Sequence, residues 1–377
     1  MSASSRAYFD WNATAPLRAQ AQAAMVVALE QRGNASSVHR EGRGARATVE
    51  QARIAVADLV GGEAKSVTFT SGGTEANALA LRAAPGRVLV SAIEHPSVLA
   101  GAPAAERIPV TARGVVDLDA LRRLLGGKPA LVSLMLANNE TGVVQPVREA
   151  AAIVHKAGGL LHVDAVQAAG RIAIDINALD AGLLTISSHK LGGPQGAGAL
   201  IARGNVRITP LIAGGGQERG LRAGTENVAA IAGFGAAATA AKENLTAESQ
   251  AMSALRARLE RDLKGSHPDL VVFGEGETRL PNTILFGVPG MKAETALIAF
   301  DLEGVAVSSG SACSSGKVAA SHVLAAMGVA DEFAKGAIRV SFGCETTAED
   351  AEKLLNAWTK VLSSLSKSRS INREIAA

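Results

Sequence analysis

Lys190 stands in the stretch TISSHKLGGPQGAGALIA (185–202), directly after a run, LLTISS (183–188), that reads as a strand ending in polar groups. Asp164 follows a second apolar run, LLHV (160–163), in the same way. An amine and a carboxylate then sit at the ends of neighbouring strands, with room between them for one crossover. That pairing suits pyridoxal phosphate: the amine carries the cofactor and the carboxylate keeps its ring nitrogen protonated. For either residue alone, a surface lysine or a helix-capping aspartate is the commoner case. The rest of the chain tips the balance.

A phosphate needs donors. TSGGTEANAL places Gly73 and Thr74 between a strand and a helix. There, glycines let backbone N–H groups close on an anion at the helix N-terminus and the threonine adds a hydroxyl. Ser187 and His189, beside Lys190, would form the other wall of that cup. Gln167, one helical turn past Asp164, could reach the phenolic oxygen of the ring. His95, in SAIEHPS, could stack on the ring and move protons near neutral pH. Asn139, in LANNETG, could touch the ring substituents. All these positions follow the C-terminal ends of expected strands, where open α/β sheets bind ligands.

Cys313 lies in SSGSACSSG (308–316), a Ser/Gly run expected to be a mobile, accessible loop. A thiol there can swing toward a cofactor, attack and withdraw, provided that its pKa is lowered in the closed site. Cys344, in RVSFGCETT, follows an apolar strand and is expected to be shielded and without a role. Two cysteines are too few for a metal cluster or a disulfide framework, so no metal is expected and both should be reduced thiols.

These residues need a scaffold. The 377-residue chain is 47% hydrophobic and 19% charged, so it can build a large core, in two domains. Aromatic residues are only 3%, which leaves Ala, Val, Leu and Ile to fill that core. Net charge is +3 with scattered basic residues, which argues against nucleic acid. MSASSRAYFD has no hydrophobic signal region and no apolar run spans a bilayer, so neither export nor a membrane is expected. Helices are expected at 17–32, 43–60, 73–83, from Pro96, and at 147–157. Strands are expected at 66–70, 87–93, 130–136, 160–163, 183–188 and 198–202. This alternation implies an α/β fold with a mostly parallel central sheet covered on both faces. After the glycine-rich AGGGQERG (213–220), two helices, about 226–243 and 248–264, should lead into a smaller α+β unit. Its strands are expected at 270–273, 282–286 and 337–342, and its helices at about 292–303 and 347–364, with the last dozen residues frayed.

Taken together, the chain resembles the cysteine desulfurases of the NifS/IscS type, within the class V aminotransferases. The likeness runs through YFDWNATAP, GNASSVHREG (33–42), FTSGGTEANALAL (69–81), NNETGVVQP (138–146), HVDAVQAAGRIAID, SSHKLGGPQGAGAL, GGGQERGLRAGTEN (214–227) and SSGSACSSG. The last motif resembles the group with the longer cysteine loop. Departures are small: Ala35 replaces a common proline in GNASS, and SACSS stands where SACTS is frequent.

The resemblance implies a PLP-dependent transferase of fold type I, with 14–250 as the large domain and 1–13 plus 251–377 as the small one. It implies Lys190 as the pyridoxal phosphate lysine, Asp164 as the ring-nitrogen partner, Gln167 as the phenolate partner and His95 as the stacking acid/base. Gly73, Thr74, Ser187 and His189 would hold the phosphate. Thr225, of RAGT, would reach the phosphate of a second copy in a homodimer. Asn139 and Arg339 would hold the L-cysteine substrate, the arginine gripping its carboxylate. Cys313 would take the sulfur as a persulfide and alanine would leave. A cytoplasmic enzyme passing sulfur to an acceptor or Fe–S scaffold protein is implied, although the tail SLSKSRSINREIAA does not resemble that of the housekeeping enzymes. The other readings are a selenocysteine lyase or another class V enzyme, and a non-catalytic sulfur-relay protein.

Overall fold

The computed structural model describes residues 6–84, 86–309 and 321–375, with side chains as far as Ser363. A short strand, β1 (Ala7–Tyr8), opens the described chain. Seven strands then build the main sheet: β2 (Val67–Thr70), β3 (Val88–Ser91), β4 (Glu106–Ile108), β5 (Leu131–Met135), β6 (Leu160–Asp164), β7 (Leu183–Ser187) and β8 (Gly198–Ala202). Their order across the sheet is β2-β8-β7-β6-β5-β3-β4. Only β8 runs against its neighbours; every other pairing is parallel. Buried runs such as LVSLM and LLTIS have no polar/apolar alternation because both faces of the sheet are covered.

The covering helices are α1 (Ala19–Glu30), α2 (Arg40–Leu59), α3 (Gly73–Leu81), α4 (Pro96–Gly101), α5 (Leu118–Leu125), α6 (Val147–Lys156) and α7 (Val228–Ser266). Helix α5 and strand β4 were not anticipated, yet α5 carries its own signals. Asp117 caps its N-terminus by accepting from Ala120 N at 2.8 Å, and Gly126 ends it with φ 54°.

One expectation fails at α7. In place of two helices, a single 39-residue helix runs from Val228 to Ser266. The intervening NLTAE contains neither Gly nor Pro to break it. Asn244 turns its side chain back onto Ala240 O (2.8 Å), and Arg18 grips Glu248 through two bonds of 2.8 and 2.6 Å. The first half of α7 packs Ile231, Phe234 and Ala238 into the core of the main sheet. Its second half sends Met252, Leu259 and Leu263 into a second core around Phe9, Phe286 and Trp358.

That second core belongs to a four-stranded sheet and its helices. The strands are β9 (Val271–Val272), β10 (Thr283–Gly287), β12 (Ser308–Ser309) and β13 (Ile338–Ser341), while β11 (Val305–Ala306) pairs in parallel with β1. The helices are α8 (Ala293–Leu302), α9 (His322–Ala326), α10 (Asp331–Ala334) and α11 (Ala348–Ile375). Helix α11 extends well past the expected end at 364, through the segment expected to fray. Nothing from 348 onward is Gly or Pro.

Candidate active site

Strands β2, β3, β5, β6 and β7 all end on the same edge of the main sheet, because β2 and β7 both run against β8. A cavity of about 310 Å³ opens there. Lys190, Asp164, Gln167 and His95 line it, together with Gly73, Thr74, Ser187, His189, Asn139 and Arg339. Thus ten of the expected residues share one cavity. Thr225 is exposed and is not among its lining residues. Cys313 lies outside the described residues.

Lys190 closes a short 3₁₀ turn, Ser188–Lys190, that follows β7 directly. Its Nζ donates to Asn12 O (2.6 Å) and Ala13 O (2.7 Å), so the N-terminal segment forms one wall. Asp164 ends β6 opposite Thr185 of β7, so the carboxylate closes one strand and the amine follows, by a single turn, the end of its neighbour. Asp164 Oδ2 accepts from Asn77 Nδ2 at 2.7 Å and Oδ1 accepts from Val166 N at 3.0 Å.

His95 caps α4, its Nδ1 accepting from Ser97 N at 3.1 Å. Burial lowers its pKa, Asp164 pulls it back up, and Lys190 and His322 lower it further. His189 has its pKa lowered to about 4, by burial first and then by Lys190 and Arg171, so it is neutral at physiological pH. Gln167 is oriented from behind: Arg171 Nη1 donates to its Oε1 and to its carbonyl oxygen, and Gln167 Nε2 donates to Asn12 O at 3.1 Å.

Arg339, on β13, brings the second sheet to the site. It is buried, with Nη2 donating to Asp10 Oδ1 (2.8 Å) and Nη1 donating to Asn139 O (3.0 Å). Next to the cavity, Glu94 and Glu140 are buried carboxyls. Glu140 accepts from Ser321 Oγ in a bond of 2.5 Å, and burial raises its pKa to about 7 against the lowering effects of Ser321 and Arg339. Glu94 O accepts from His322 Nε2 at 2.9 Å.

The cavity suits pyridoxal phosphate. Ser187 Oγ, Asn139 Oδ1 and Asn77 Oδ1 are buried with no hydrogen-bond partner among the described residues, polar groups that a polar ligand would satisfy. A Cβ on Gly73 would lie 3.4 Å from Ser187 Cβ and 2.9 Å from Val166 Cγ2, so glycine keeps the space beside Ser187 open at the start of α3. Gly73 and Thr74, the first two residues of that helix, both line the cavity, which puts the helix N-terminus where an anion is favoured.

Several site residues escaped the reading of the sequence. Asn12, Asp10 and Arg171 act through backbone or through other side chains, which leaves no mark in spacing. Asn77 did leave a signal: it is a polar residue on the buried face of α3, whose other buried residues are all Ala or Leu, one turn past Gly73. Cys344 needs correction, because it is exposed. Strand β13 stops at Ser341, Gly343 packs against Trp11, and the chain then turns outward. Partial desolvation still raises its thiol pKa, and Glu248 adds to the effect.

A largely parallel sheet with a lysine, an aspartate and an anion cradle at its C-terminal edge defines an enzyme that works through pyridoxal phosphate. Residues 7–354 match the family Aminotransferase class-V, and the chain belongs to that PLP-dependent family. It is 42% identical over 374 residues to a cysteine desulfurase of Gluconacetobacter diazotrophicus, covering 95% of this chain and 94% of that one. A cysteine desulfurase of Cereibacter sphaeroides is 43% identical over 376 residues, covering 96% of each. Among solved structures, a NifS-like protein from Rickettsia africae superposes with a TM-score of 0.89 at 38% identity, covering 95% of this chain and 99% of that one. Among the described residues no helix is long and apolar enough to cross a membrane, and no cluster of side chains could hold a metal ion.

Proposed function

We propose that this chain is a cysteine desulfurase, which converts L-cysteine to L-alanine and leaves the sulfur on Cys313. The observation that carries this reading is the convergence of Lys190, Asp164, Gln167 and His95 with Arg339 in one cavity. Relatives named cysteine desulfurase, matched over nearly the whole chain, support it.

Bound pyridoxal phosphate supplies the electron sink. Asp164 would keep its ring nitrogen protonated, Gln167 would serve its phenolic oxygen, and Gly73, Thr74, Ser187 and His189 would hold its phosphate. Lys190 takes the substrate's α-proton and returns one. Arg339 and Asn139 hold the substrate carboxylate; Asp10 and Asn139 O orient the guanidinium for that grip. The Cys313 thiolate attacks the substrate sulfur. An S–S bond forms as the C–S bond breaks, and the electron pair stays on the carbon skeleton, which takes a proton and leaves as alanine.

The sulfur then passes to an acceptor or Fe–S scaffold protein in the cytoplasm, where thiols stay reduced. A homodimer is part of this reading. Exposed Leu211 and Ile212 lie near Thr225 in sequence, and Val27 borders an apolar groove of 440 Å³ between α1, α2 and α7. We also propose a domain division at 14–250 against 1–13 and 251–377, which would fall inside α7.

The test is stoichiometry. L-Cysteine with a reductant should give alanine and sulfide in equal amounts. Cys313→Ser should bind pyridoxal phosphate and cysteine yet release almost no alanine and hold no persulfide, whereas Cys344→Ser should keep most activity. Sulfane sulfur mapped to Cys344, or near wild-type alanine release from Cys313→Ser, would refute the assignment. A strong preference for selenocysteine in a parallel assay would favour a lyase.

A further inference from the structure

Along the cavity wall, four side chains form one continuous chain of hydrogen bonds: Asp164, Asn77, Ser97 and His95. Asn77 Nδ2 lies 2.7 Å from Asp164 Oδ2 and 3.0 Å from Ser97 Oγ. Ser97 Oγ lies 2.8 Å from His95 Nδ1. Asn77 is buried in α3, Ser97 and His95 open α4, and Asp164 ends β6, so the chain ties three elements together.

The direction of every bond follows from chemistry. An ionised carboxylate only accepts, so Asn77 must present its NH₂ to Asp164. The opposite amide orientation would set Oδ1 against that carboxylate. The second hydrogen of the same NH₂ points to Ser97 Oγ, which therefore accepts and has one proton left to give. That proton goes to His95 Nδ1. The backbone N–H of Ser97, which can only donate, meets the same nitrogen at 3.1 Å. Nδ1 is thus an acceptor twice over, and the ring proton sits on Nε2, at the opposite edge of the ring.

We propose that Asn77 and Ser97 are positioning residues that hold His95 as the neutral tautomer protonated at Nε2, with the Asp164 carboxylate as the terminal acceptor of the chain. A proton added at Nδ1 would face the Ser97 N–H donor, so the ring enters the reaction as an N–H donor, not as a base. Asn77 thereby couples two groups of the reaction: the amide that braces Asp164 also sets which nitrogen of His95 carries hydrogen. The inference rests on the reading of His95 and Asp164 as site residues. Its test needs neither substrate nor turnover, so it can fail while that reading stands.

The measurement is long-range ¹H–¹⁵N spectroscopy of protein labelled at histidine nitrogens, with and without pyridoxal phosphate, His95 being assigned through His95→Gln. The wild-type ring should show a pyridine-like Nδ1 and a protonated Nε2 in both states. Asn77→Ala frees the Ser97 hydroxyl, and Ser97→Ala removes it. Each should raise the Nδ1–H share by about fivefold, the change expected for losing one neutral hydrogen bond. Ser97→Thr, which keeps the hydroxyl, should restore the wild-type pattern. Should Asn77→Ala fail to fold, Ser97→Ala and Ser97→Thr carry the test alone. A wild-type ring protonated at Nδ1, or a tautomer ratio unmoved by Ser97→Ala, would overturn the proposal.

Discussion

Gln167 is held so that its amide cannot turn over. Arg171 donates to Oε1, which leaves the NH₂ end for Asn12 O and the cavity. Among the described residues no carboxylate pairs with Arg171, and its pKa is lowered to about 9, by burial first and then by Arg339. An arginine kept at that cost has a job: Nη1 orients Gln167, while Nη2 makes longer bonds of 3.4 Å to Trp11 O and Lys190 O. Arg171→Met should therefore leave Lys190 able to carry pyridoxal phosphate but weaken binding about fivefold, the worth of about one hydrogen bond, and shift the visible band of the bound cofactor. An unchanged spectrum and affinity would mean that Gln167 orients itself. Borohydride reduction and peptide mass spectrometry should place the pyridoxyl adduct on Lys190 in both proteins; an adduct on another lysine would refute the site. Chemistry at this scale was legible where a residue type follows a strand end, as with Lys190 and Asp164. It was illegible for Arg171, whose role exists only through its partner.

Secondary-structure elements explain how little of the second layer the sequence showed. His162 sits in the middle of β6, buried, between Ser133 Oγ (2.8 Å) and Thr185 Oγ1 (3.0 Å) on the flanking strands. Nothing in LLHV distinguishes it from a surface histidine, since strand neighbours appear only once the sheet order is known. Burial lowers its pKa to about 4, against the raising effect of Asp164. The sign follows: with the folded value below the ordinary 6.5, the unfolded chain takes up the proton first. Its contribution to stability is full above about pH 6.5 and is lost as the pH falls toward 4. His162→Gln should flatten the fall of the melting temperature across that window; an equally steep fall would place the acid sensitivity elsewhere. Helix contacts carry a second prediction. A Cβ on Gly235 of α7 would lie 2.6 Å from Ala52 Cα of α2, closer than atoms pack. Gly235→Val should cost about 1–3 kcal/mol through overpacking, read as a lower melting temperature. Unchanged stability would show that α2 and α7 separate easily. The sequence suggested two helices where α7 is one, because the change from one core to the other near NLTAE is set by tertiary packing and by the ion pair of Glu248 with Arg18.

Across the whole molecule, the two cores meet through α7 and through the N-terminal segment, which touches Lys190 from one side and Arg339 from the other. The alternation of strands and helices made the main sheet readable, because each βα unit is local in sequence. The four-stranded sheet pairs β10 with β13, distant in sequence, and was readable only as separate strands. Thr225 marks where one chain stops explaining itself. Its segment is braced: Arg222 donates to Glu75 at the start of α3 (3.0 Å), and Glu218, with φ 45°, accepts from Arg53 at 2.7 and 2.9 Å and from Phe69 N at 2.9 Å. Yet Thr225 itself is exposed and does not line its own cavity. A rigid, strained loop that presents a hydroxyl outward suits a residue used by a second copy. Two inactive variants test this. In a hybrid of a Lys190→Ala chain with a Thr225→Val chain, the site of the Thr225→Val chain keeps its own Lys190 and receives the intact Thr225 of its neighbour. One of the two sites is then complete, and mixing after mild denaturation should restore activity that neither parent has. Activity retained by Thr225→Val alone would show that the hydroxyl is dispensable. No recovery in hybrids verified by mass would show that each chain serves only itself, and a monomer in sedimentation would remove the shared site altogether.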